Sequence, residues 1–221
     1  MNTNRQRAID FLRCAEIDLA SSRCLYFCEH YSASIYHLQQ AVEKTLKSIL
    51  FWLHKDAHVS HKTMTACIKI LDIEKFLPLI SDPNLQKIIK DIIRIDECES
   101  ALEACARRSL LEIKNNISFL VDLKHEIEKI IQSSDHQQLS EEDKLECMTF
   151  LRWGLIISIL AYYLAPHEAL TRYPDNKITP MDYYPGNLGI VDVAPDFCDI
   201  LQTMIVSLHT EYGASPTILQ K

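Results

Sequence analysis

The stretch from Tyr31 to Leu53 constrains the fold most strongly, because its apolar residues follow the spacing of a helix. They lie three or four positions apart throughout, at Ile35, Leu38, Val42, Leu46, Ile49 and Leu53. This spacing places all of them on one face of an α-helix. The opposite face is predicted to carry Glu43, Lys44 and Lys47. We expect Ser32 to cap the N-terminus of this helix.

Helical spacing also recurs on both sides of this stretch. An opening helix is predicted over about 4–28, with a buried stripe at Ala8, Leu12, Ala15 and Leu19. Further helices are predicted over about 61–71 and over 84–132, the second with a break near 96–100. Another begins at a capping box formed by Ser140 and Asp143 and ends at Pro166. The last runs from Pro195 to Gly213. Residues 172–189 are predicted to form an ordered loop.

Only four glycines occur in 221 residues. A fold with many strands would need turn residues far more often. The sequence therefore predicts an all-α fold class.

Charge and cysteine content indicate which ligands and which cellular compartment the protein fits. The net charge of -7 argues against extended DNA binding through a broad basic face. The first residues show no apolar core of a secretory signal, so we expect the eight cysteines to be reduced and the protein to be cytoplasmic. The apolar stretch from Cys147 to Ala165 contains Arg152, which favours a buried helix over a membrane span.

Two segments resemble the HEPN family. The run YSASIYHLQQAVEKTLKSIL, from Tyr31 to Leu50, is similar to the second helix of the family, and its core is Gln39, Gln40, Ala41, Glu43, Lys44 and Lys47. His61 matches a histidine that often follows that helix. Arg172, Tyr173, Pro174 and Asp175 resemble the Arg-Tyr-Pro motif before the last helix of the family.

The resemblance implies an antiparallel bundle of four or five helices that is commonly a homodimer. It covers about 4–71 and 167–213 of a single domain spanning 1–221. The intervening residues 72–166 are predicted to be a helical insertion or lengthened helices of the same bundle.

The resemblance also indicates where a ligand or a dimer partner binds. The candidate residues for this contact are Gln39, Gln40, Glu43, Lys44, Lys47, His61, Arg172 and Tyr173. Lysine can neutralise a phosphate group, whereas Glu43 and Lys47 are also spaced as an ordinary i,i+4 ion pair. We expect Arg172 to pair with Glu43 or Asp18 and to fix the loop.

Catalytic and metal-binding signals are weaker. Ribonucleases of the family use an Arg-x(4–6)-His motif, and this spacing occurs at Arg23 and His30, which are the only catalytic candidates. Two groups of histidines and cysteines have side chains that can bind zinc, one at His54, His58, His61 and Cys67 and one at Cys24, Cys28 and His30. No paired CxxC accompanies either group, so we expect neither a metal nor a cofactor.

Three functions remain open from the sequence. The first is a non-catalytic binding protein for a nucleotide, a short RNA or another anion, or the partner of a nucleotidyltransferase-like protein, within a toxin–antitoxin or defence system. The second is a metal-independent endoribonuclease. The third is a helical protein-interaction module.

Overall fold

The computed structural model describes residues 3–53 and 178–214 continuously, together with position 83 and several positions within 153–172. Its helices are α1 (Thr3–Phe27), α2 (Tyr31–Trp52), α3 (Pro180–Tyr183) and α4 (Gly189–Glu211). The regular elements in this part of the chain are all helices, so the predicted all-α class is confirmed. The predicted helices over 61–71 and 84–132 and the capping box at Ser140 lie outside the described residues.

A tight turn joins α1 to α2. After α1, the amide of Glu29 donates to the carbonyl of Tyr26, and the amide of His30 donates to the carbonyl of Leu25. These two bonds form a Schellman cap, in which the residue after the helix takes a left-handed conformation. That residue is Glu29, with φ of 60°. The chain thus reverses within three residues.

The predicted N-cap of α2 is wrong by two positions. His30, not Ser32, occupies the N-cap, and its side chain makes no capping hydrogen bond. The carbonyl of His30 already accepts from the amide of Ser34. Because the cap of α1 ends at His30, the second helix begins at the next residue and Ser32 lies inside it.

The core is formed where α1, α2 and α4 meet. The predicted stripe of α1 is fully buried, and five of the six predicted apolar positions of α2 are buried as well, with Leu53 half-buried. At one end of the bundle, the hydroxyl of Ser48 donates to the carbonyl of Ala8 and lies 3.3 Å from the hydroxyl of Tyr212, which can donate to it. At the other end, Ser22 contacts Ser34 and Cys198. These contacts make α1 antiparallel to both α2 and α4, as the bundle prediction requires.

The last helix begins earlier than predicted. It starts at Gly189 and contains Pro195 in its interior. Proline removes one backbone hydrogen bond from a helix. The burial of Ile190, Val191 and Val193 on the core offsets this loss and extends the helix before the proline. Its predicted end is confirmed, because Gly213 has φ of 63° and terminates it.

The predicted loop over 172–189 contains the one-turn helix α3. Thr179 and Asp182 form a capping box at its start, in which the amide and hydroxyl of Thr179 both donate to the Asp182 carboxylate. These bonds hold the pKa of Asp182 below its usual value. The loop prediction therefore missed a short helix that depends on this local cap.

Helical residues between 153 and 164 complete the described core. Besides Gly154, six apolar residues of this stretch are buried, namely Trp153, Ile156, Ile157, Leu160, Tyr163 and Leu164. The ring of Tyr163 contacts that of Phe197, with centroids 6.1 Å apart. For the described residues of this stretch, the predicted burial is confirmed. Among the helices that the structure describes, none is long and apolar enough to cross a membrane.

Candidate ligand-binding surface on α2

One carboxylate joins a histidine and a lysine side chain across the α1–α2 contact. Asp18 of α1 accepts a hydrogen bond from Lys44 through one carboxylate oxygen. Its other oxygen lies 3.0 Å from Nδ1 of His37. Asp18 itself is buried, whereas the side chains of His37 and Lys44 each keep 31% of their surface exposed. We call these three residues the Asp18 cluster.

Asp18 also defines which nitrogen of His37 carries a proton. A carboxylate accepts only, so Nδ1 of His37 must be the donor in their contact. In the neutral ring, Nε2 is then left as an acceptor. A histidine held in this way by a carboxylate can accept a proton from a bound hydroxyl group.

Arg172 reaches the same face of α2 from the C-terminal part of the chain. Its guanidinium lies over the ring of Tyr36, 5.2 Å from the centroid. Tyr36 in turn contacts the ring of His37 edge-on, at 5.3 Å. This geometry is a cation–π contact. It brings the two segments that resemble the family together on one surface.

The predicted ion pair of Arg172 with Asp18 or Glu43 is wrong. Asp18 is occupied by His37 and Lys44, and Glu43 accepts from Lys47 instead. An aromatic ring is therefore the partner of Arg172 on α2 in the described contacts. The predicted role of Arg172 as a clamp of the loop stays a prediction.

One of the three residues predicted on the opposite face of α2 is buried. The i,i+4 pair of Glu43 and Lys47 forms as expected, but Lys47 keeps only 7% of its surface exposed. Burial of a lysine is costly unless its charge is paired. Glu43 provides this pairing, so Lys47 serves the packing of α2 more directly than it serves a ligand.

The two glutamines of the resemblance occupy different environments. Gln40 is half-buried, and helical geometry places it between Tyr36 and Lys44 on one face of α2. Gln39 is buried, and within the described structure its Oε1 has no hydrogen-bond partner. Of the other candidates for this surface, His61 and Tyr173 lie outside the described residues.

Arg23 and His30 are not joined by the structure. Arg23 donates to Asp199 of α4 at 2.7 Å, in an exposed ion pair. His30 is exposed at the N-cap of α2. Arg23, one member of the predicted catalytic pair, therefore binds α4 rather than His30.

The described cysteines are free thiols. Cys14, Cys24 and Cys28 are exposed, whereas Cys198 is buried. Burial raises the pKa of the Cys198 thiol above its usual value. Within the described ranges no group of three His, Cys, Asp or Glu side chains is arranged to hold a metal ion. Cys24, Cys28 and His30 therefore do not form a zinc site. The other histidine and cysteine group, around His58, lies outside the described residues.

A second polar contact is buried between α1 and α4. Nε2 of His209 lies 3.6 Å from a carboxylate oxygen of Glu16, and both residues are almost entirely enclosed. Burial lowers the pKa of His209, an effect that the Glu16 carboxylate opposes and Arg13 reinforces. Their position in the core makes this pair a feature of packing rather than of ligand access.

Comparison with known proteins agrees with the resemblance. The family model of the HEPN domain matches residues 8–98. Residues 8–98 are therefore similar to a HEPN domain. The match includes most of α1 and all of α2 and extends over 72–98, which the sequence analysis assigns to an insertion. It does not include 167–213, although α4 from that segment packs against α1 and α2. No curated protein and no solved structure matches the chain significantly.

Sequence reasoning missed part of this surface. Tyr36 and His37 precede the Gln-Gln-Ala core and are not among the predicted candidates, and the only contact predicted for Asp18 is with Arg172. A histidine two turns before a lysine on the polar face of α2 was the available signal. The acidic partner on α1 depends on how the two helices are aligned, which the sequence alone does not define.

Proposed function

We propose that this protein binds the phosphate group of a nucleotide or of a short RNA at the surface formed by Tyr36, His37, Lys44 and Arg172. The match of residues 8–98 to the HEPN domain agrees with a nucleotide-binding or ribonuclease type of function. The observation that carries the proposal is the Asp18 cluster beside the Tyr36–Arg172 contact.

Charge supports this choice of surface. Lys44 and Arg172 bring two basic side chains to one face of α2 on a chain whose net charge is -7. Lysine attracts phosphate as a point charge, and arginine can bind two of its oxygens. Two basic side chains on so compact a surface fit a small anion better than a long nucleic acid.

Geometry sets the size of the ligand. Tyr36 and Lys44 are eight residues apart on α2, which corresponds to about 12 Å along the helix. Gln40 lies between them with an amide that can donate to an anion or to a base. A single phosphate would not reach both ends, so we expect tighter binding of a nucleotide than of inorganic phosphate.

Calorimetric titration of the full chain with ATP, GTP, a short unstructured RNA and inorganic phosphate tests the proposal. We expect Lys44→Ala and Arg172→Ala each to weaken nucleotide binding by about 1–3 kcal/mol, the usual cost of losing a charged hydrogen bond. The matched control is Arg23→Ala, which removes an exposed arginine bound to Asp199 on α4. Equal affinity of all three variants and the wild type would reject this surface, and heat-silent titrations would leave only the role of a protein partner.

The Asp18–His37 contact favours a second candidate, a metal-independent endoribonuclease. His37 has the carboxylate partner that a general base needs, and the neighbouring cations can stabilise charge on a phosphate. This candidate predicts RNA cleavage in EDTA that is lost in His37→Asn. Cleavage that is lost in His30→Ala but survives in His37→Asn would return the activity to the Arg23 and His30 pair.

The biological setting extends the proposal further. HEPN domains commonly dimerise, and we include a homodimer in the proposed function. A role beside a nucleotidyltransferase-like protein in a toxin–antitoxin system, in the cytoplasm, completes it. Co-purification with the product of an adjacent gene tests this part, and its failure would leave ligand binding unaffected.

A further inference from the structure

The outer face of α1 is apolar where an outer face is ordinarily polar. Between positions 14 and 28, the exposed residues of α1 and its C-cap are Cys14, Ile17, Ala20, Cys24, Phe27 and Cys28. Phe27 keeps 84% of its surface exposed and Ile17 keeps 56%. In the same stretch the carboxylates Glu16 and Asp18 are buried against the other helices. We call the six exposed residues the apolar strip.

The apolar strip is continuous. At 100° per residue, its members lie within an arc of about 140°, and 14 residues of helix extend about 21 Å. Val206 of α4 is also exposed. Along α4 it lies between Cys198 and His209, which both contact α1. Large contiguous apolar surfaces on a soluble domain commonly mark contacts with another protein.

Unlike charges flank the apolar strip at its two ends. Arg13 is exposed just before Cys14, and Glu29 is exposed just after Cys28. Neither side chain has an ion-pair partner within the described structure. A two-fold axis through the middle of the strip would bring each of these charges to the opposite charge of a second molecule.

We infer that the apolar strip is the contact surface for a second copy of this chain, with the two α1 helices antiparallel. The axis passes near Ser21, the midpoint between positions 13 and 29. Arg13 of one copy then faces Glu29 of the other, and Cys14 faces Cys28. The small residues Ala20 and Ser21 at the centre allow the helices to approach closely.

This assignment rests on the homodimer in the proposed function and specifies its surface. The apolar strip is about 21 Å long and, as one helix is wide, about 10 Å across. Its area is therefore smaller than the surface of about 800 Å² that each partner buries in a standard interface. We therefore expect a reversible dimer whose population rises with protein concentration.

Sedimentation equilibrium of the full chain over a range of concentrations tests the inference. Ala20→Arg places two like charges near the two-fold axis and is expected to weaken the dimer at least about tenfold. Met181→Arg is the matched control, because Met181 is exposed and apolar but lies on α3. Circular dichroism verifies that both variants keep the helix content of the wild type.

Charge exchange tests the antiparallel arrangement. Arg13→Glu and Glu29→Arg should each weaken the dimer, and the double variant should recover most of the loss. A short thiol–thiol cross-linker should join Cys14 of one copy to Cys28 of the other, as identified by peptide mapping, and Cys14→Ser should abolish this product.

The outcomes separate this inference from ligand binding. A wild type that stays monomeric at all concentrations, or a dimer unaffected by Ala20→Arg, overturns the assignment of the strip. A dimer that responds to Ala20→Arg but not to charge exchange overturns the antiparallel arrangement. Calorimetry with Lys44→Ala and Arg172→Ala decides ligand binding separately, because both residues lie off the strip.

Discussion

At the residue scale, Asp18 connects α1 to two side chains of α2. It holds Lys44 and His37 on α2 while it is itself buried in α1. The sequence placed Asp18 in the opening helix but did not indicate these partners, because side chains at positions 18, 37 and 44 meet only once the α1–α2 turn is defined. The residue types of the surface were thus predictable and their pairing was not.

Replacing Asp18 with asparagine should destabilise the fold. The change keeps the shape but leaves Lys44 without its counter-charge in a partly enclosed position. We expect a loss of about 1–3 kcal/mol in the free energy of unfolding, measured by urea denaturation. Asp199→Asn is the control, because it removes an exposed ion pair with Arg23 and should cost less than about 1 kcal/mol. Equal losses in the two variants would contradict the structural role of the Asp18 cluster.

His209 should make the stability of the fold depend on pH. Burial lowers the pKa of His209, so the unfolded chain binds this proton at a higher pH than the folded chain does. The contribution of neutral His209 is therefore present above the ordinary histidine pKa of about 6.5 and is lost as pH falls below it. Arg13 favours the same direction, and Glu16 opposes it.

Comparison of the wild type with His209→Gln measures this effect. Glutamine keeps a polar side chain in the core but does not titrate. We expect the free energy of unfolding to fall more steeply for the wild type than for the variant between about pH 7.5 and pH 5, which spans the ordinary histidine pKa. Parallel curves would show that another group carries the pH dependence.

At the element scale, the helix ends explain where boundary predictions succeeded and failed. Gly213 was identified as a stop because glycine adopts the left-handed conformation easily, and α4 ends there. The end of α1 uses the same type of cap at Glu29, a residue that gives no such signal. Pro195 suggested a helix start, but apolar residues before it extended α4 to Gly189. Burial therefore prevailed over local preference.

These two caps predict opposite effects of substitution. Glu29→Gly should stabilise the protein, because an L-residue in the left-handed region costs about 1–2 kcal/mol, part of which is offset by the extra freedom of glycine in the unfolded chain. Gly213→Ala should destabilise it by about 1 kcal/mol. A Cβ at position 213 would meet no atom within 4 Å, so the conformation alone would account for that loss. Thermal denaturation of both variants measures the effects, and a destabilised Glu29→Gly protein would contradict the argument.

At the scale of the whole molecule, helix-spaced apolar residues predicted the fold class and the core of α1 and α2. Positions such as Leu12 and Leu38 are fully buried as their spacing indicated. The same reasoning missed the apolar outer face of α1, because the predicted stripe does not include residues such as Ile17. Periodicity identifies one buried stripe, but it does not show that the opposite side is apolar too. The single domain over 1–221 stays a prediction.

The packing of α4 on α1 and α2 predicts that the three helices unfold together. Phe197 is fully buried in α4 and contacts Tyr163, while neighbouring Cys198 contacts Ser22 of α1. Phe197→Ala should cost about 3–5 kcal/mol in the free energy of unfolding. Hydrogen exchange should then show lost protection in α1 and α2 as well as in α4, because the core they share is weakened. Val206→Ala, on the exposed side of the same helix, should leave protection unchanged. A loss confined to α4 would show instead that α1 and α2 form a unit of their own.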